Sequence, residues 1–254
     1  MSLYDDMRSE ALRFPPKPTA VATRFIVPRP ANLDRPFRVL PATAPQAVTG
    51  DAGWYVHFGK RALDLVLVIL TLPVSLPIIA LCALALWLES GLPFYWQDRI
   101  GKGGRRFRIV KLRTMVRDAD AQLARYLATD PAIRDEWNRT QKLRNDPRIT
   151  PVGNILRATS LDELPQLWNV IKGEMSLVGP RPMLPEQVRL YGDDSCYASV
   201  RPGITGLWQV SARNDKEFSH RARVDVAYCR SLSLWRDIVL MVRTIGVVLR
   251  RTGI

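Results

Sequence analysis

Leu65-Val66-Leu67-Val68-Ile69-Leu70-Thr71-Leu72-Pro73-Val74-Ser75-Leu76-Pro77-Ile78-Ile79-Ala80-Leu81-Cys82-Ala83-Leu84-Ala85-Leu86-Trp87-Leu88 contains no charged residue. Its length matches the roughly 20 residues a helix needs to cross the hydrocarbon of a bilayer. Two features turn the reading away from a simple span. Pro73 and Pro77 lie inside the run, where each removes a backbone hydrogen bond and bends a helix. Both flanks are basic: Lys60 and Arg61 precede the run, and Arg99, Lys102, Arg105, Arg106, Arg108, Lys111 and Arg113 follow it. Basic flanks mark the cytoplasmic side, and a span would export one of them. A helix–break–helix at about 62–89 that dips into one leaflet keeps both flanks on one face. Thr71, Ser75 or neighbouring protein would re-satisfy the freed carbonyls. Asp64, at the entry, has Arg61 or another interfacial cation as its expected partner.

Working outward, the whole chain has 254 residues, enough for one medium domain with attachments. Lys and Arg number 37 against 24 Asp and Glu, a net charge of +13 that points to polyanionic partners: nucleic acid, anionic lipid or nucleotide phosphates. Cys82, Cys196 and Cys229 lie far apart and form no CxxC pair, which argues for reduced thiols rather than a disulfide framework or a zinc site. Two histidines, His57 and His220, exclude a histidine metal cluster. The acidic residues Asp5, Asp6 and Glu10 argue against a cleavable signal peptide. Residues 1–52 are rich in proline and arginine without helical or strand periodicity, and read as a disordered cytosolic arm. Residues 53–254 form the expected folded domain.

Beyond the apolar run, Phe94-Tyr95-Trp96 suits a membrane interface, and Gly101, Gly103 and Gly104 make a turn between two extended stretches. Phe107–Met115 partly alternates apolar and basic residues, as a half-exposed strand does. This stretch is either a basic face on anionic lipid or a place where Lys111 and Arg113 meet a phosphate. Residues 116–143 read as helix, restarting at Asp130-Pro131, and Asn145–Pro151 reads as a turn. A short helix over 152–158 carries Arg157.

Next comes Ser160-Leu161-Asp162-Glu163-Leu164-Pro165-Gln166. Leu164, Leu167, Trp168 and Ile171 give the apolar face of a helix that Gly173 ends. Pro165 is tolerated only near that helix's start, so the acid pair falls in the first turn, where the dipole should keep both carboxylates ionised. Ser160-x-x-Glu163 fits a capping box. The same two acids among Arg144, Arg148, Arg157, Lys172 and Arg181 also fit phosphate chemistry, as nucleophile or Mg²⁺ ligand. Pro180 and Pro182 hold Arg181 in a rigid turn, either a phosphate clamp or an ordinary surface turn. Residues 201–210 read as a turn followed by a short strand. A helix over 215–231 carries Asp225, and the stretch from Leu234 to Leu249, with Arg250 and Arg251, reads as an amphipathic helix in the interface or a core helix.

Several of these stretches, in order, resemble the bacterial sugar transferases, the monotopic polyisoprenyl-phosphate hexose-1-phosphate transferases. They are Lys60-Arg61 with Asp64; Lys111-Leu112-Arg113-Thr114-Met115; Asp146-Pro147-Arg148-Ile149-Thr150; and Ser160 to Val170. Met175 to Pro182 and Val200 to Gly206 complete the series. The resemblance runs from about Lys60 to Ile254. It implies an α/β, mostly helical fold: a small membrane-associated phosphotransferase core with a re-entrant membrane helix and interfacial amphipathic helices. It implies transfer of a sugar-1-phosphate from a UDP-hexose to undecaprenyl phosphate with release of UMP. Asp162 would be the attacking group that carries a covalent phosphosugar, and Glu163 would hold Mg²⁺. Lys111, Arg157 and Arg181 occupy positions that would touch phosphates, with Arg113 and Arg148 as further phosphate-binding candidates, and Asp225 matches a C-terminal acidic position. The expected setting is the cytoplasmic face of a bacterial inner membrane rich in anionic lipid, at the start of exopolysaccharide or other surface-glycan assembly, ahead of downstream glycosyltransferases. Many relatives break the re-entrant helix at Ser-Pro, whereas here the step is Leu76-Pro77. Larger members carry extra membrane helices before this core, and this chain reads as the minimal form. The rival readings are a membrane-anchored nucleic-acid-binding protein and a scaffold without catalysis. The basic residues cluster around acids and prolines rather than on one recognition helix, which argues against nucleic acid as a partner.

Overall fold

The computed structural model describes residues 52–140, 143–188, 195–211 and 218–249. The arm expected over residues 1–52 lies outside them up to Asp51, as do Arg250 and Arg251. The apolar run forms one helix, α1, over Lys60–Ser90. It ends at Gly91, whose φ of 83° is open to glycine at no steric cost and whose N–H returns to the Trp87 carbonyl. The expected break into two helices is absent: Pro73 and Pro77 both lie within a continuous helix. Thr71 Oγ1 donates to Leu67 O and Val68 O, both at 2.9 Å, and not to a carbonyl that a proline leaves free. Ser75 is buried and its hydroxyl has no hydrogen-bond partner among the described residues. One side of α1 packs inward through Val68, Cys82 and Leu86, while Val66, Ile69, Leu70, Val74, Leu81 and Leu84 are exposed.

After α1 the alternating stretch folds into an antiparallel hairpin. β1 (Phe94–Ile100) pairs with β2 (Arg106–Leu112), with Tyr95 opposite Lys111. The expected glycine turn joins them, as a 3-10 turn over Lys102–Gly104. Helices α2 (Ala119–Thr129) and α3 (Pro131–Thr140) follow, and Asp130 Oδ1 accepts from Ala132 N and Ile133 N at the restart. α4 (Pro151–Thr159) is capped by Thr150, whose hydroxyl accepts from Gly153 N. A 3-10 turn over Leu161–Gln166 carries the acid pair and leads directly into α5 (Leu167–Lys172), which Gly173 ends. Leu167 is buried on α5, but Trp168 is 60% exposed, so the expected apolar face is only partly covered.

β3 (Ser176–Val178) and β4 (Gly203–Thr205) form a second, parallel pair, joined by a path that includes α6 (Ser195–Ser199). They approach so closely that a Cβ on Gly203 would fall 2.1 Å from Gly179 N. The strand expected within 201–210 is therefore confined to 203–205, and Leu207–Ser211 is helix α7. α8 (Phe218–Arg230) and α9 (Leu234–Leu249) complete the fold. α9 has a buried side and an exposed apolar side: Asp237 and Leu240 are buried, while Leu234, Trp235, Val242 and Ile245 are exposed.

Buried polar contacts fasten these pieces. Asp237 accepts from Tyr55 OH at 2.7 Å, Tyr228 OH at 2.8 Å and Lys60 Nζ at 2.6 Å. Asp64 accepts from Leu177 N at 3.0 Å and so fixes α1 to β3. Arg61, the partner expected for Asp64, instead donates to Val170 O and Ile171 O, two carbonyls of α5. Asn169 on α5 bridges to β2, accepting from Val110 N and donating to Arg108 O.

Candidate active site

Ser160 decides how the acid pair is presented. It ends α4 in the left-handed region, with φ 57°, and makes no side-chain cap bond. The capping box expected from Ser160-x-x-Glu163 is therefore not formed. A non-glycine residue held there costs on the order of 1–2 kcal/mol. That conformation reverses the chain between α4 and the 3-10 turn, which packs over β2. Asp162 and Glu163 then face the side chains of β2.

Lys111 on β2 donates from Nζ to Glu163 Oε1 at 2.7 Å, with both side chains mostly buried. Arg181 NH2 reaches the same oxygen at 3.2 Å. Arg157 projects from the last turn of α4 and donates from Nε to Thr114 Oγ1 at 2.8 Å. From there its charge acts on Asp162. Five of the residues expected from sequence thus converge: Lys111, Arg157, Asp162, Glu163 and Arg181.

The expected dipole effect does not dominate at Asp162. Burial pushes its carboxyl above the usual range, against the opposing pull of Lys111, Arg157 and Arg181 and with a further push from Glu163. Burial likewise lowers the Lys111 ammonium, with Glu163 opposing that shift. An acid and a cation that each bear the cost of removal from water are groups whose charge is not fully matched inside the protein.

Three other candidates take different places. Arg148 is buried and makes a two-pronged pair with Asp146, Nε at 2.7 Å and NH2 at 2.6 Å, with its guanidinium carbon 5.7 Å from the Trp137 ring centre. It braces the turn before α4 rather than reaching for a phosphate. Arg113 lies over the Tyr95 ring at 5.7 Å, outside the cavity wall. Asp225 is buried beside Arg221, with the charged atoms 3.7 Å apart, and Arg221 in turn donates to the Arg181 carbonyl. Asp225 thus acts on the Arg181 loop through Arg221.

The cavity beside Glu163 is lined by Arg99, Lys111, Glu163, Gln166, Arg181 and Gly203, among others. Arg99, Asn169 and Arg221 have roles that the sequence reading missed. Arg99 read only as one of many basic flanking residues. Asn169 carried a usable signal: a buried Asn on an apolar helix must find partners, since an unpaired amide is costly in the interior.

Among the described residues no group of three or more His, Cys, Asp or Glu gathers as a metal site. Mg²⁺ needs less protein than that, because it binds through one or two carboxylates plus substrate phosphates. Glu163, with Asp162 beside it, provides hard oxygen donors of that kind, so the donor chemistry fits.

The chain matches the family model described as bacterial sugar transferase over residues 55–251. It is 47% identical over 198 residues to a UDP-galactose-lipid carrier transferase of Erwinia amylovora, covering 78% of this chain and 42% of that protein. It is 45% identical to an undecaprenyl-phosphate galactose phosphotransferase of Salmonella typhimurium over the same shares. The chain therefore spans less than half the length of these two relatives. It spans 87% of the exopolysaccharide production protein ExoY of Rhizobium meliloti, with 42% identity over 196 residues.

Proposed function

Because this chain belongs to the bacterial sugar transferase family, we propose that it transfers a sugar-1-phosphate from a UDP-sugar to undecaprenyl phosphate, releasing UMP. The observation that carries this reading is a half-buried acid pair, Asp162-Glu163, set among Lys111, Arg157 and Arg181. Asp162 attacks the β-phosphorus and carries the phosphosugar until the lipid phosphate removes it. The intermediate lets a soluble donor and a lipid acceptor use one site in turn. Lys111 and Arg181 hold Glu163 and supply positive charge for phosphate oxygens, while Arg157 serves Asp162 from the Thr114 side. Mg²⁺, held by Glu163, would neutralise diphosphate charge as a Lewis acid. The names of the Erwinia and Salmonella relatives favour galactose as the sugar, and that of ExoY favours exopolysaccharide assembly as the setting.

The structure supports a membrane placement with both ends of α1 on the cytoplasmic face of the inner membrane. α1 is 31 residues long and apolar enough to cross a bilayer, about 46 Å at 1.5 Å per residue. Its start is tied to the globular part through Lys60–Asp237 and Arg61–Val170. Its end is tied there too: Arg117 NH2 donates to Ser90 O at 3.0 Å, and Val152 N donates to Glu89 Oε1 at 3.0 Å. A spanning helix would put those two anchor points on opposite sides of the bilayer. The exposed apolar residues of α1, Trp168 and Trp235 are the surface offered to lipid, where UDP-sugar arrives from the cytosol and the lipid phosphate from the leaflet.

The test is a panel of UDP-sugars scored for UMP release with undecaprenyl phosphate present, beside an Asp162→Asn variant. UMP release from at least one donor and a dead variant are expected; full transfer by Asp162→Asn would overturn the mechanism. Tags at both termini should be shielded from external protease in intact cells.

A further inference from the structure

The hairpin orders the cations of the site like marks on a ruler. Arg99 stands opposite Phe107 and Tyr95 opposite Lys111, and Thr114, which holds Arg157, lies two residues beyond the end of β2. Lys111 is thus four residues from the Arg99 level and three from Thr114, roughly 13 Å and roughly 10 Å at 3.3 Å per residue. The charges follow the same order. Arg157 acts on Asp162 at one end, while Arg99 interacts with Glu163 and Arg181 towards the other.

Arg99 is built into the cavity wall rather than lying loose on the surface. Its NH1 donates to Pro182 O at 2.9 Å, and its NH2 donates to Gln97 Oε1. Its buried Nε has no hydrogen-bond partner among the described residues. Burial, with Arg181 and Arg221 nearby, lowers its pKa to about 10, so it is still a cation at neutral pH. A clamped guanidinium with a spare donor, lining a cavity with Lys111 and Arg181, is built to receive an anion.

In-line displacement at phosphorus puts the leaving oxygen opposite the nucleophile. With Asp162 attacking from the Arg157 end, the leaving oxygen points along the hairpin towards Arg99. We propose that Arg99 binds the phosphate of the departing UMP and neutralises the charge that develops on its leaving oxygen. This rests on the phosphotransfer reading above. In the step, an Asp162 Oδ–P bond forms and the bond from the β-phosphorus to the bridging oxygen breaks. The electron pair stays on that oxygen, which becomes a terminal oxygen of UMP, and no proton is needed. The lipid phosphate that later displaces Asp162 must also enter in line with it, hence from the Arg99 side. Arg99 therefore serves the leaving nucleotide and the incoming lipid phosphate in turn.

The experiment uses the full chain in detergent, with Arg99→Gln, Arg99→Lys and Arg99→Ala variants, and UMP itself as the probe. UMP affinity is measured directly, beside kcat and KM for the UDP-sugar. Arg99→Gln should weaken UMP binding by about tenfold or more and lower kcat by about 10²–10³-fold, with Arg99→Lys in between. Added guanidinium ion should restore part of the activity of Arg99→Ala, which a purely structural role would not allow. UMP affinity in Arg99→Gln within about twofold of the unaltered chain overturns the proposal. So does a loss of turnover that is equal in Arg99→Lys and not rescued by guanidinium. If the unaltered chain releases no UMP from any UDP-sugar, the phosphotransfer reading fails, and the UMP-affinity comparison still decides Arg99. If the unaltered chain does not bind UMP, the Arg99 proposal falls, while UMP release still decides the phosphotransfer reading.

Discussion

Replacing Lys111 with methionine separates a catalytic role from a structural one. The ammonium makes one close ion pair, Nζ to Glu163 Oε1 at 2.7 Å, in a side chain 15% exposed. Removing one partner of a buried pair costs about 3–5 kcal/mol when the survivor is left unpaired. Glu163 is not left so, because Arg181 reaches the same oxygen at 3.2 Å. The site also has a cation excess: Arg99, Lys111, Arg157 and Arg181 stand against Asp162 and Glu163, four charges against two. Lys111 feels that excess, since Arg181 and Arg99 add to burial in lowering its pKa, although Glu163 and Asp162 oppose them. Taking one cation away leaves three against two and removes a desolvated charge, while a methionine fills the space of the lysine stem. These effects nearly cancel, and stability should change by about 1 kcal/mol or less, a shift of about 2–4 °C in the melting midpoint for a domain of this size. Catalysis has no such cancellation. A cation aimed at transition-state phosphate charge in a dry site is worth about 2.7–4 kcal/mol, or about 10²–10³ in kcat. The assay pairs UMP release with thermal unfolding of the detergent-purified protein. Activity within about tenfold of the unaltered chain would refute the catalytic assignment. A midpoint drop well beyond about 4 °C would refute the charge accounting.

Four further outcomes follow from the site and the buried ion pairs. Burial raises the Asp162 pKa, so the carboxylate proposed to attack is lost to protonation at a higher pH than an ordinary Asp; the pH–rate profile should show an acid limb above that range, absent from any residual activity of Asp162→Asn. A raised carboxylate pKa means that the folded state binds its proton more tightly than the unfolded chain, so stability falls as pH rises through that window; Asp162→Asn should therefore melt higher at neutral pH, read by a thermal scan. Asp237→Ala leaves Lys60 and two tyrosine hydroxyls without their shared acceptor and should cost about 3–5 kcal/mol in denaturant unfolding. Arg148→Met breaks the buried pair with Asp146 and should lower stability by a similar amount, about 3–5 kcal/mol, while KM for the UDP-sugar stays unchanged in the folded fraction; a raised KM would restore Arg148 to the phosphate site.

Local chemistry made much of the chain legible. The Gly101–Gly104 turn, the restart at Asp130-Pro131 and the Gly173 stop depend on dihedral preferences of single residues, and each lies where the pattern put it. Ser160 shows the limit. Its residue type favours a cap, but the reversal between α4 and the 3-10 turn forces it left-handed instead. Asp162 shows a second limit: position at a helical start argues for a low pKa, and burial, which no local window displays, overrides it. Pro73 and Pro77 do not break α1, which continues through both. For Arg148, a motif position does not reveal that Asp146, two residues away, holds the guanidinium.

By itself the sequence determined the apolar helix, the acid pair, the basic residue types around it and, through ordered motifs, the family. These are properties of composition and short-range spacing, which survive without knowledge of the fold. Only the tertiary structure decided which cations gather around the acids. Lys111 comes from β2, Arg157 from α4, Arg181 from the loop after β3 and Arg99 from β1. Chain separation carries no information about such convergence, because charges interact through space and their strength is set by the burial that packing creates.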